Sequence, residues 1–194
     1  MKTHRVVTPS TLVIALLAPP GFASTQGLSL DFTAVIEETT CVMNISSLSN
    51  ATLSGSGSGS GTQYQLTIPN IGIAELLNVT ASTEGSFKLQ PKECNNEITS
   101  LTMTVQGTTL TGSEYMLQNA LNSNNAENVG LGFKPKGGDE NSRFKLNGAQ
   151  NITWSQSQIA DGMDLSAFFR RASTSLTPTP GDFQAKATFT FTYE

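Results

Sequence analysis

From position 183 onward, every second residue is apolar. Phe183, Ala185, Ala187, Phe189, Phe191 and Tyr193 alternate with Gln184, Lys186, Thr188, Thr190 and Thr192. Successive side chains of a strand point to opposite faces, so the pattern predicts a β-strand over 183–193 with one buried face. The chain stops one residue later, with no turn to bring in a following strand. The sheet is therefore expected to lack a neighbour beside this strand. A second alternating segment lies near the other end, with Leu28, Leu30, Phe32, Ala34 and Ile36 on one face. Shorter strands are predicted over 41–45, 64–68, 86–89, 98–106, 115–117, 129–133, 144–146, 150–154 and 167–171. Turns are expected at Gly137-Gly138-Asp139 and Asn147-Gly148. The Ser/Gly run over 54–61 reads as an expanded surface loop. No long amphipathic helix is legible.

Seven to nine short strands in one domain point to an all-β fold, a β-sandwich of immunoglobulin type. Trp154 follows both cysteines rather than lying between them, so this is not an ordinary immunoglobulin module. Residues 1–23 carry a secretory-signal pattern. Lys2 and Arg5 precede an apolar run over 12–18, then Pro19-Pro20 and the small residues Gly21 and Ala23. The run is too short to span a bilayer, which takes about 20 apolar residues. Membrane insertion is not expected.

Export changes how the two cysteines read. Cys41 and Cys94 in an oxidising compartment are expected to form a disulfide. Closing that loop stabilises by roughly 4 kcal/mol on the chain-entropy view. Metal binding and thiol chemistry lack supporting residues, because the single histidine, His4, lies in the signal. Without it the exported chain has no Ser-His-Asp or Cys-His pair and no imidazole ligand. Adjacent acids such as Glu37-Glu38 and Asp139-Glu140 read as solvated. No enzyme activity, cofactor or metal is expected. Removing the signal leaves nine basic and fifteen acidic residues, a net charge of −6, which argues against nucleic acid as a partner. Four Asn-X-Ser/Thr sequons, at Asn44, Asn50, Asn78 and Asn151, are expected by chance in so Thr- and Asn-rich a chain. Arg170-Arg171 reads as a strand edge with one exposed arginine.

A sandwich missing one strand exposes an apolar groove and a row of unpaired backbone groups. A strand from another molecule would satisfy both, and the resulting head-to-tail contact propagates into a fibre. The residues that carry this reading also carry a resemblance. Gly181 fourteenth from the end, the alternating apolar positions after it and the penultimate Tyr193 resemble the C-terminal signature of fimbrial subunits (pilins) of the chaperone–usher pathway, type 1 kind. The segment 30–41 is similar to the donor strand and first cysteine strand of such pilins, and 87–89 and 128–132 resemble internal family segments.

The resemblance implies an incomplete immunoglobulin-like sandwich lacking its last strand, completed by donor-strand complementation. It implies three parts: a signal over 1–23, a donor extension over 24–36 and a pilin domain over 37–194. Leu28, Leu30, Phe32, Ala34 and Ile36 are the implied donor residues. Gly181, Phe183, Ala185, Ala187, Phe189, Phe191 and Tyr193 form the implied groove strand. The implied partners are a periplasmic chaperone, an outer-membrane usher and neighbouring subunits, with delivery to a fimbria on the cell surface. Two departures stand out. Such pilins usually carry glycine at the position of Ala34, and the Ser/Gly run lengthens the spacing between cysteines. The chain opens on a donor segment and is too short for a two-domain tip adhesin, so a structural rod or minor adaptor subunit is expected. The alternative is a single-domain adhesin that binds a host glycan or matrix protein through 111–128 or 54–61. A third reading is an autonomous secreted immunoglobulin-like domain.

Overall fold

The computed structural model describes residues 28–36, 41–55, 63–94 and 98–194. The signal region and most of the Ser/Gly run lie outside them. Among the described residues ten strands form: β1 Leu28–Ile36, β2 Val42–Ser49, β3 Thr52–Ser54, β4 Gln63–Ile68, β5 Glu84–Lys92, β6 Leu101–Gly107, β7 Val129–Pro135, β8 Ile152–Thr153, β9 Met163–Arg171 and β10 Lys186–Tyr193. Two one-turn helices interrupt them, α1 Ile73–Asn78 and α2 Gln156–Asp161. Ser155 caps α2: its hydroxyl accepts from Gln158 N at 3.3 Å, and Gln158 Oε1 accepts from Ser155 N at 2.8 Å. That reciprocal cap ends where Gly162 turns the chain into β9 at a φ of 91°.

The strands make two layers. One sheet has the order β3-β4-β1-β10-β6-β8 and the other β2-β5-β9-β7. All pairings are antiparallel except β1 with β10. The core lies between the layers, where inward positions of β4, β6 and β10 meet those of β5, β7 and β9. Three rings tie the layers together. Phe189 of β10 stands edge-on to Phe133 of β7 at 5.3 Å and to Phe87 of β5 at 6.2 Å, and Phe87 and Phe133 meet at 6.2 Å. Cys41 and Cys94 are disulfide-bonded, with Cα atoms 4.1 Å apart, beside the β2–β5 pair.

Several expectations shift. The segments around Leu117 and Phe144 are not strands. Leu117 makes only isolated bridges to Thr109 and Leu131, and Phe144 N donates to Phe133 O at 2.9 Å. Both side chains are buried, so an apolar pattern that looked like strand marks loops folded onto the core. The short β3 pairs with β4 and carries too few residues for alternation to register. Arg170 does not sit at an exposed edge. β9 runs between β5 and β7, and Arg170 is 7% exposed.

Candidate functional site: the seam beside the terminal strand

The terminal strand begins later than its alternation suggests. Ladder pairing with β6 runs from Ala187–Gly107 to Tyr193–Leu101, while Phe183 and Ala185 are buried before the strand starts. Their backbone is claimed by another partner, the loop over 119–126. Ala120 N donates to Gln184 O at 2.7 Å, Ala126 N to Asp182 O at 2.8 Å and Asp182 N to Asn124 O at 2.7 Å. Asn119 closes the clamp from its side chain. Its Nδ2 donates to Asp182 O at 2.7 Å and Ala126 O at 3.0 Å, and its Oδ1 accepts from Gln184 N at 3.0 Å. The stretch is thus extended and buried without belonging to the sheet.

Gly181 opens this stretch at a φ of 156°. A Cβ there would collide with the backbone of Asn125 and Ala126, so the close approach of the two chains requires glycine. The glycine of the C-terminal pattern therefore has a local cause: it lets the loop 119–126 lie against the terminal segment.

On its other edge β10 pairs with β1 in parallel, from Asp31–Lys186 to Ile36–Phe191. The same strand pairs antiparallel with β4, from Leu28–Ile68 to Thr33–Gln63. The register sets Leu28, Leu30 and Phe32 opposite Ile68, Leu66 and Tyr64, and Phe32, Ala34 and Ile36 opposite Ala187, Phe189 and Phe191. All six partners are buried. At the far end Trp154 meets Phe191 edge-on at 6.0 Å. Tyr193 is half-buried, its phenol makes no hydrogen bond, and burial pushes its pKa up to about 12. Burial likewise raises Tyr64.

The sequence comparisons agree with this architecture. The model of the fimbrial protein family matches residues 57–194. Over 96% of its length the chain is 30% identical to YadM of Escherichia coli (strain K12), an uncharacterized fimbrial-like protein, covering 98% of that protein. The chain belongs to the fimbrial protein family. Membership makes it a non-enzymatic fimbrial protein, associates it with surface fimbriae and implies the immunoglobulin-like pilin form for its two sheets. The family match begins at residue 57 and so covers β4 and β10 but not β1.

This fimbrial protein also holds a charge cluster that its sequence did not reveal. On β9, Leu165, Ala167 and Phe169 enter the core, whereas Phe168 and Arg170 lie on the opposite face. Glu84 Oε1 accepts from Arg170 Nη2 at 2.6 Å and lies 2.9 Å from Lys134 Nζ. Glu140 Oε1 accepts from Arg170 Nε at 3.1 Å and Nη2 at 2.7 Å. Thr83 Oγ1 accepts from Nη1 at 3.0 Å, and the guanidinium lies 4.9 Å from the Phe168 ring centroid. Burial pushes the Glu84 carboxyl up, but bonds and charge from Lys134 and Arg170 outweigh it and hold the pKa below the ordinary range. The members of this cluster lie up to 86 positions apart in the sequence, so no local pattern shows that they meet.

Proposed function

We propose that this protein is a structural subunit of a fimbria, in the rod or as a minor adaptor, that polymerises by exchanging the strand beside β10. The observation that carries the reading is the position of β1, inserted between β4 and β10. Those two strands do not pair with each other, so without β1 each has an edge of unpaired N–H and C=O groups. Any extended segment with the right alternation restores those bonds, whichever chain it comes from.

In this reading residues 1–23 direct export, 24–36 are the donor and 37–194 the pilin domain. Leu28, Leu30, Phe32, Ala34 and Ile36 enter the groove of a neighbouring subunit. The groove is walled by the segment from Gly181 through Phe183, Ala185, Ala187, Phe189, Phe191 and Tyr193. A periplasmic chaperone covers that wall until an outer-membrane usher brings the next donor, and the fibre serves adhesion. Parallel pairing is slightly less stable per residue than antiparallel pairing. A donor from a second copy is not tethered to the receiving Cys41 and enters in either direction, so antiparallel exchange out of the parallel arrangement with β10 is favoured.

Removing residues 24–36 tests the reading. The shortened chain is expected to aggregate on refolding and to be rescued by a synthetic peptide of residues 24–36. A shortened chain that remains monomeric, with the melting temperature of the full chain, overturns it.

A further inference from the structure

Away from the seam, an open pocket of about 380 Å³ lies between the Tyr115 loop and the segment 141–150. Tyr115, Asn141, Arg143, Lys145, Ala149 and Gln150 line it. Its polar groups are held in place yet retain bonding capacity. Gln150 Oε1 accepts from Lys145 N at 2.6 Å, which orients the amide, and its Nε2 has no partner among the described residues. Arg143 Nε donates to Glu140 O at 2.6 Å, and its guanidinium lies 5.8 Å from the Tyr115 ring centroid. Among the described residues, neither Arg143 Nη nitrogen makes a hydrogen bond, nor does the Asn141 side-chain amide or the Tyr115 hydroxyl.

The local charges do not cancel. Arg143 Nη1 is 3.7 Å from Glu140 Oε2, a carboxylate already engaged by Arg170 at 2.7 Å and near Lys134 at 3.8 Å. Glu84 serves the same two cations. Among the described residues, Arg143, Lys134 and Arg170 thus share only Glu84 and Glu140, three positive charges against two. The tight bonds go to the buried Arg170 and Lys134, so the excess charge falls on Arg143, at the pocket. Lys145 pairs with Glu114 at 2.7 Å, and the remaining charges of the adjoining loop, Lys136 and Asp139, are one of each sign.

We propose that this pocket binds an acidic saccharide unit, a polyhydroxylated ring that carries a carboxylate. Arg143, with Lys145 beside it, meets the carboxylate. Asn141, Gln150 and the Tyr115 hydroxyl offer donors and acceptors to ring hydroxyls. Ala149 and the Tyr115 ring supply the modest apolar contact a sugar face needs. The volume is at the small end of the range for ligand pockets, roughly 300–1,000 Å³, which suits a monosaccharide ring. A single excess charge suits a carboxylate better than a phosphate, and the mainly polar lining does not suit an apolar ligand. The site is independent of the assembly role proposed above.

Titration of the full chain with D-glucuronate, followed by amide chemical shifts, tests the proposal, with D-glucose and acetate as the neutral-sugar and bare-carboxylate controls. Saturable low-millimolar binding of glucuronate is expected, with shifts at Arg143, Lys145 and Gln150. Both controls are expected to bind roughly tenfold more weakly or worse, and Arg143→Gln to lose a similar factor. Asn141→Ala, at an exposed side chain without partners, is expected to weaken binding several-fold with an unchanged melting temperature, and it carries the test if Arg143→Gln does not fold. Three results overturn the proposal: no saturation at tens of millimolar, acetate or glucose binding as well as glucuronate, or binding untouched by the folded variants.

Discussion

Arg170 and Lys134 are the two charged side chains buried among the described residues, and Glu84 lies between them. Because the Glu84 pKa is lowered on folding, its contribution is present above the unfolded carboxylate range and fades as pH falls through the lower folded value. Glu84→Gln is expected to cost roughly 2 kcal/mol near neutral pH. That is less than the 3–5 kcal/mol for breaking a fully buried pair, because Glu140 still holds Arg170 and the site is partly solvated. Urea denaturation at several pH values checks this. The gap to the parent chain should close on acidification below the ordinary carboxylate range, as pH falls through the lowered folded value and Glu84 protonates in the parent as well. A gap that persists there assigns the loss to packing instead of charge. The local sequence draws attention to Arg170 only as half of Arg170-Arg171, and nothing in it says that Lys134, Glu84 and Arg170 meet.

In the assembly proposed above, the deciding elements are β1, β4 and β10. The boundaries of β1, Leu28–Ile36, coincide with the alternation of its residues. β10 is shorter than its alternation because the loop 119–126 captures the backbone at 182–184. Alternation reports which face is buried, not which backbone supplies the hydrogen bonds. The register of β1 places Phe32 opposite both Ala187 and Tyr64, in the middle of the seam. Phe32→Asp is expected to prevent fibre growth, because an unpaired carboxylate is too costly to bury there, while chaperone capture of the groove persists. Electron microscopy of fibres and co-purification with the chaperone read the two outcomes. Normal fibres would show that the donor register is misassigned.

For the molecule as a whole, Phe189 is the point where the layers meet, through Phe87 and Phe133. Phe189→Ala is expected to cost about 3–5 kcal/mol, the range for truncating a buried ring that leaves a cavity. Because the lost contacts span both layers, calorimetry should register a fall in the melting temperature of the whole domain. A variant that melts like the parent would mean that the two sheets are held together mainly elsewhere. The two-layer all-β form and the non-enzymatic class of the chain were legible before any coordinates. Burial follows from hydrophobic periodicity and chemistry from residue type, and both are local properties of a chain.

Strand order and inter-strand register are not local. The alternating residues were enough to predict two long strands near the chain ends, each with one buried face, and two cysteines in an exported chain were enough to predict the disulfide between Cys41 and Cys94. Only folding decided that β1 lies between β4 and β10 and runs parallel to β10, since hydrogen-bond partners are chosen among segments distant in sequence. The same holds for the glycine at 181, whose pattern was visible but whose cause, the backbone of Asn125 and Ala126, was not. It holds too for Arg143 and its share of a carboxylate. Charges brought together by three strands and a turn have no signature until the chain has closed around them.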